Sequence, residues 1–130
     1  MIIPLEELEV YKLSENIADS IWEISSQWEK FARETIGKQI VRSADSIGAN
    51  IAEGYGRFSF KENIQFCYYA RGSMYEMQHW LRRAKKRNLL SSEHELALTT
   101  ILQSMAPMLN AYIKSIKSQL AISQRMTIGQ

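Results

Sequence analysis

The chain has 130 residues, 45% of them hydrophobic and 23% charged, which is one domain's length and too apolar for a disordered polypeptide. Six glycines and two prolines leave collagen-like, linker-rich and turn-rich all-β architectures unsupported. The single cysteine, Cys67, excludes an internal disulfide and a multi-cysteine zinc site, and points to a reducing compartment.

The formal net charge of +2 is unevenly spread. Residues 1 to 34 hold eight acids against three bases, a segment near −5 that precedes one near +7. Such a split suits nucleic acid, or halves that neutralise each other on assembly, or simply solvated faces. The start, Met1-Ile2-Ile3-Pro4-Leu5-Glu6-Glu7, lacks the basic, then apolar pattern of a secretory signal. No stretch approaches the ~20 apolar residues of a membrane span. A cytoplasmic protein with no membrane partner is expected.

Taken in chain order, the elements are helical. Leu13, Ile17, Ile21, Ile24 and Trp28 recur at helix spacing and predict a first helix. The connection that follows falls between Ser25 and Ile36, near residues 30–35. Ile36, Ile40, Ala44, Ile47 and Ile51 mark a second helix. Gly54 and Gly56 should end it in the left-handed conformation open to glycine. Ser59-Phe60-Lys61-Glu62 reads as a capping box that starts a third helix through Phe60, Ile64, Cys67, Met74, Met77, Leu81 and Ala84. Asn88 is its stop, and Ser92-Glu93-His94-Glu95 is a second capping box. The fourth helix carries Leu98, Leu102, Met105, Leu109, Ile113, Ile116 and Leu120, with a kink expected at Pro107. No segment alternates with period two, so no strand is predicted.

Helices of ~20–28 residues are ~30–42 Å long, and short connections force neighbours antiparallel. The predicted fold is all-α, an up-down-up-down antiparallel four-helix bundle in one domain over residues 1–122. A C-terminal tail, residues 123–130, is expected to fray.

The second helix carries more than its apolar seam. Gln39, Ser43, Ser46, Asn50, Glu53 and Arg57 form a second stripe at spacings of 3 and 4, flanked by Arg42. Small hydroxyls, amides and one charge pair at i and i+4 suit bonding across to another helix or another subunit. The alternatives for this stripe are a structural role inside the bundle, a subunit contact, and a catalytic or ligand-binding role.

The stretch Gln39 to Arg57, QIVRSADSIGANIAEGYGR, resembles the signature of the bacterial four-helix-bundle proteins encoded by intervening sequences in large-subunit ribosomal RNA genes. Ala70-Arg71-Gly72-Ser73-Met74-Tyr75-Glu76 is similar to that family's Ala-x-Gly-Ser-x-x-Glu element, and Leu8-Glu9-Val10-Tyr11 to its opening. The likeness covers about Leu8 to Lys117. The first connection departs from it by lacking the family's usual proline, and Pro107 is a second departure. What the resemblance implies is a ring-like homo-oligomer, a pentamer with a central channel, and no established enzymatic activity. The family is also similar in fold to the accessory variability protein of diversity-generating retroelements, which partners a reverse transcriptase and binds nucleic acid through a basic surface.

Catalytic constellations are missing. Glu76-Met77-Gln78-His79 is a Glu-x-x-His, but a di-iron site needs a second such motif, and position 91, three before His94, is Ser. Cys67 sits on the apolar seam, where a thiol is inert. Gly54-Tyr55-Gly56 lacks the strand and the Lys-Ser/Thr pair of a phosphate loop. No metal, no cofactor and no enzymatic activity are expected.

The functional candidate is basic. Arg82, Arg83, Lys85, Lys86 and Arg87 close the third helix, with Arg71 three turns upstream and Lys114 and Lys117 as extensions. Cations stabilise a helix C-terminus, so capping competes with phosphate binding as the reason for them. Tyr55, Tyr68, Tyr69 and Trp80 offer base stacking or interhelical packing. The expectation is a non-enzymatic, oligomeric nucleic-acid-binding scaffold for structured RNA or RNA–DNA, and the resemblance adds a reverse transcriptase or other protein as a partner. The alternative is a protein-interaction module whose basic cluster docks on an acidic neighbour, such as Glu6, Glu9 and Glu15 of another protomer.

Overall fold

The apolar repeats fold as helices because each places a side chain on one face every 3 or 4 residues. The computed structural model describes residues 3–128. After a 3-10 turn at Leu5–Glu7 come α1 (Glu9–Ser26), α2 (Lys30–Glu34), α3 (Ile36–Tyr55), α4 (Phe60–Lys86) and α5 (Ser92–Ile128), with no strand among the described residues. Each of the four long helices packs against two neighbours, in the cyclic order α1, α3, α4, α5.

Cross-helix neighbours fix the directions. Gly48 and Gly37 of α3 lie against Ser14 and Trp28 respectively, so α1 and α3 run oppositely. Gly54 meets Asn63 while Arg42 bonds Glu76, which makes α3 and α4 antiparallel. Arg71 bonds Asn110 and Lys85 pairs with Glu95, which does the same for α4 and α5. The result is a four-helix bundle with one core. Ile17, Ile40, Ala44, Ile47, Ile51, Met77, Met105 and Leu109 are fully enclosed in it.

Two glycines set how closely α3 approaches its neighbours. A Cβ on Gly54 would lie 2.7 Å from Asn63 Oδ1 and 2.9 Å from Phe66 Cβ, and one on Gly48 would lie 2.8 Å from Ser14 Oγ. Gly54 therefore serves close helix contact and not a left-handed stop. No described glycine has positive φ, and Gly56 caps α3 with φ −79°. Gly56 ends α3 without the conformation expected of it, and Gly54 lies inside the helix.

Other local expectations shift by a residue or a turn. The first connection holds a short helix, α2. Its N-cap Glu29 accepts from the Phe31 and Ala32 amides at 2.9 and 2.8 Å, which draws its carboxyl below the usual range. Trp28 is buried although it lies beyond α1. Ser59 accepts from the Glu62 amide at 3.1 Å, as a capping serine should. On α5, however, the cap is Ser91, whose hydroxyl accepts from the His94 amide at 3.0 Å, one residue before the expected Ser92. Phe60, assigned to the apolar seam, is 39% exposed at the first turn of α4.

Helix α5 runs as one element through Pro107. Pro107 and Gln103 both lie on its exposed side, where water can serve the carbonyl that proline leaves without an amide donor. At 37 residues, α5 is about 55 Å long against about 27 Å for α1. Its end therefore projects past the bundle. The segment expected as a tail stays helical from Ser123 to Ile128 with its described side chains exposed, and residues 129 and 130 fall outside the described residues.

Candidate nucleic-acid interface

A tightly bonded turn holds the end of α4. Asn88 adopts φ 60°, the left-handed stop expected of it. The Leu89 amide donates to the Ala84 carbonyl at 2.9 Å and the Asn88 amide to Lys85 at 3.1 Å, the paired bonds of a Schellman cap. Trp28 Nε1 donates to the Leu89 carbonyl at 2.9 Å, tying this turn to the end of α1. The basic cluster thus sits on a fixed support.

Arg82, Lys85, Lys86 and Arg87 are exposed and Arg83 is half-buried. Lys85 pairs with Glu95 Oε1 at 2.7 Å. Arg82, Arg83, Lys86 and Arg87 make no ion pair among the described residues. Arg71 is not part of this cluster. It lies about 16 Å before Arg82 along α4, bonds Asn110 Oδ1 at 3.2 Å and stacks 4.9 Å over the Tyr68 ring. Lys117 approaches the same ring to 5.2 Å, and Lys114, one turn away, is exposed. The basic residues therefore form two patches on one side of the bundle.

Of the aromatics considered for stacking, Trp80 donates Nε1 to Glu76 Oε2 at 3.1 Å and packs edge-on against His79. Tyr55 is half-buried, its hydroxyl enclosed without a partner. Tyr68 is held between cations, and Tyr69 is exposed but edge-on to Phe66. Tyr75, which the sequence reading passed over, is 64% exposed on the solvent side of α4. Its position between Arg71 and Arg82 is visible in the helical spacing.

The polar stripe of α3 lies along the seam with α4 and finds partners within the chain. Arg42 bonds Gln39 at 3.1 Å and also Glu76. The Ser43 hydroxyl is buried and donates to the Ile40 carbonyl, Ser46 donates to Arg42, and Asn50 to Ser46. Arg57 pairs with Glu53 at 2.7 Å and covers the Phe66 ring. Beside this stripe, the sequence reading missed an apolar groove of about 390 Å³ between α1 and α3, bordered by Trp22, Val41 and the stem of Arg42. Trp22 is 62% exposed there, and Phe31 of α2 is 75% exposed.

Glu76 and His79 show no metal geometry. The Trp80 hydrogen bond, then Arg42, holds the Glu76 carboxyl below its usual range. No group of three His, Cys, Asp or Glu side chains suited to a metal occurs among the described residues. Burial pushes the Cys67 thiol up to about 11, and it donates weakly to Asn63 Oδ1. No described helix is long and apolar enough to cross a membrane.

Fold and surface define an α-helical bundle protein with a cationic helix end in which only Lys85 is ion-paired among the described residues. The 23S rRNA-intervening sequence protein model matches residues 6–111, and the chain belongs to that family. The fold is similar to a crystal structure of a protein of unknown function from the S23 ribosomal protein family of Bacteroides thetaiotaomicron, with a TM-score of 0.69 and 24% identity over 79% of this chain and 96% of that one. No curated protein matches the chain.

Proposed function

We propose that the protein is a non-enzymatic, cytoplasmic homo-oligomer that binds RNA or RNA–DNA through the α4 terminus. The observation that carries this reading is the set of four cations, Arg82, Arg83, Lys86 and Arg87, without ion-pair partners among the described residues, on a rigidly capped helix end. Phosphate contacts of this kind position a nucleic acid without reading its sequence. Self-association is supported by the exposed Trp22 bordering an apolar groove, since apolar surface of this kind marks contact sites. A closed ring of five, which family resemblance favours, would repeat the basic end around an axis and multiply its field.

The test is affinity for RNA measured against salt. Electrostatic binding gives a log–log slope near −0.7 to −0.9 per phosphate neutralised. A flat response, or no loss on Arg82→Glu/Arg83→Glu, refutes the proposal. Light scattering on the eluting protein reads the oligomer.

One observation favours a second reading, docking of the basic end on another protomer. Glu15, Asp19 and Asp45 share a groove between α1 and α3. There burial, then the Asp19 charge, raises the Asp45 carboxyl, so an incoming cation would be welcome. In that case Arg82→Glu/Arg83→Glu breaks the oligomer.

A further inference from the structure

Next to the basic cluster, α4 and α5 part to leave a groove of about 300 Å³. Its floor is apolar, made by Leu81, Leu98 and Leu102. Gln78 and Thr99 stand on its walls, and neither side chain has a hydrogen-bond partner among the described residues. Arg82, Lys85 and Glu95 line the same groove. The Glu95 carboxylate holds Lys85 at 2.7 Å, while Arg82 makes no ion pair among the described residues.

We propose that this groove takes one unpaired base of a single-stranded nucleic acid, with Arg82 on its phosphate and Tyr75 as the platform for a base further along the same strand. The inference rests on the nucleic-acid reading above and adds the state of the strand and the residues that select it. A base is a flat body with apolar faces and a hydrogen-bonding edge, joined to an anion. The groove offers the complement of each part. Leucines cover the faces, the Gln78 amide supplies a donor and an acceptor to the edge, and the Thr99 hydroxyl supplies either. The guanidinium of Arg82 meets the phosphate as a fork of donors.

Position along the helix fits a strand. Tyr75 precedes Arg82 by two turns on the same side of α4, about 10 Å, or about three stacked nucleotides at ~3.4 Å each. Apart from Glu76, which Arg42 and Trp80 engage, α4 carries no acid between Glu62 and its end. A duplex keeps its bases stacked inside and cannot place one among these leucines without extruding it. Unpaired loops and ends can.

The experiment compares a fluorescein-labelled oligouridine of about twelve nucleotides, an RNA duplex of equal length and free uridine monophosphate, all at one salt concentration and with the full chain. The strand should bind about tenfold tighter than the duplex. Gln78→Leu/Thr99→Leu removes the edge contacts without altering charge. It should cost about tenfold on the strand, little on the duplex, and leave the salt slope unchanged. Tyr75→Ala, at an exposed position that does not endanger folding, should cost about fivefold or more on the strand. Equal affinity for strand and duplex, with both variants unchanged, overturns this inference and leaves the electrostatic reading standing. Monophosphate binding as tight as the strand overturns it too. No binding to any nucleic acid overturns both readings.

Discussion

Two glycines in neighbouring helices should respond in opposite directions to the same added methyl group. At Gly54 a Cβ would stand 2.7 Å from Asn63 Oδ1, 2.9 Å from Phe66 Cβ and 3.0 Å from the Asn63 carbonyl oxygen. The last two neighbours are backbone or fixed to it, so they cannot rotate away and α3 must back off α4. Overpacking of this kind costs about 1–3 kcal/mol, and the gain in helix propensity on replacing glycine returns about 1 kcal/mol. With three contacts at or below 3.0 Å, Gly54→Ala should be destabilised by about 1–2 kcal/mol. At Gly72 nothing lies within 4 Å, so Gly72→Ala keeps the propensity gain whole, about 1 kcal/mol. For a chain of this size each kcal/mol moves Tm by about 3–5 °C. Gly54→Ala should melt about 3–10 °C lower and Gly72→Ala about 3–5 °C higher, followed by circular dichroism at one protein concentration so that assembly does not contribute. A Gly54→Ala protein as stable as the parent would refute the claimed closeness of α3 and α4. A lowered Tm for Gly72→Ala would mean that its side of α4 is covered, and not open.

Ser91→Ala should cost about 1 kcal/mol through the lost α5 cap, and Ser92→Ala within about 0.5 kcal/mol of nothing; equal melting shifts for the two would put the cap elsewhere. Cys67, with its thiol near 11, carries about a thousandth of its charge as thiolate at pH 8. Iodoacetamide should therefore spare the folded protein and modify it in denaturant, as mass spectrometry would read. Hydrogen bonding from Trp80, then Arg42, holds the Glu76 carboxyl below the ordinary glutamate range. A depressed carboxyl adds stability above its unfolded value that is lost as pH falls through the folded one. Glu76→Gln should accordingly lower Tm most at neutral pH, where the charged carboxylate contributes in full, and converge with the parent as pH falls through the carboxylate range, which flattens the acid limb; an unchanged limb would remove the role given to this carboxylate.

The long helices were legible because burial selects for one apolar side chain per turn. Ile36, Ile40, Ala44, Ile47 and Ile51 are all enclosed where their spacing puts them. What escaped were features decided by neighbours distant in sequence. Gly54 looks like a helix stop in isolation, and Asn63 and Phe66 across the seam show it to be a contact surface. Ser91 and Ser92 are chemically alike, and which one caps depends on where the Asn88 turn releases the chain. Trp22 falls beside the α1 seam of Ile17, Ile21 and Ile24, and Phe31 belongs to α2, a helix of five residues too short for periodicity to resolve. On the basic side, Arg71 and Arg82 share a helix face in sequence, but Asn110 and Tyr68 hold Arg71 in a patch of its own. The Gln78 and Thr99 walls of the groove belong to two helices and have no common motif.

The cluster at the end of α4 is larger than helix stability requires. A cation at a helix C-terminus is worth about 0.3–1 kcal/mol, and the effect fades within the last turn, so one or two suffice for capping. Here the backbone carbonyls are already served by the Asn88 and Leu89 amides, which leaves less for a side chain to gain. Additional cations in the same turn repel one another, and Glu95 neutralises Lys85 alone. The free cations therefore raise the energy of the unbound surface, and a polyanion lowers it by supplying the missing charge. Rigidity adds to this. Because the Schellman turn and the Trp28 bond hold the helix end in place, a phosphate need not order that backbone as it binds, and less of the attraction is lost to entropy.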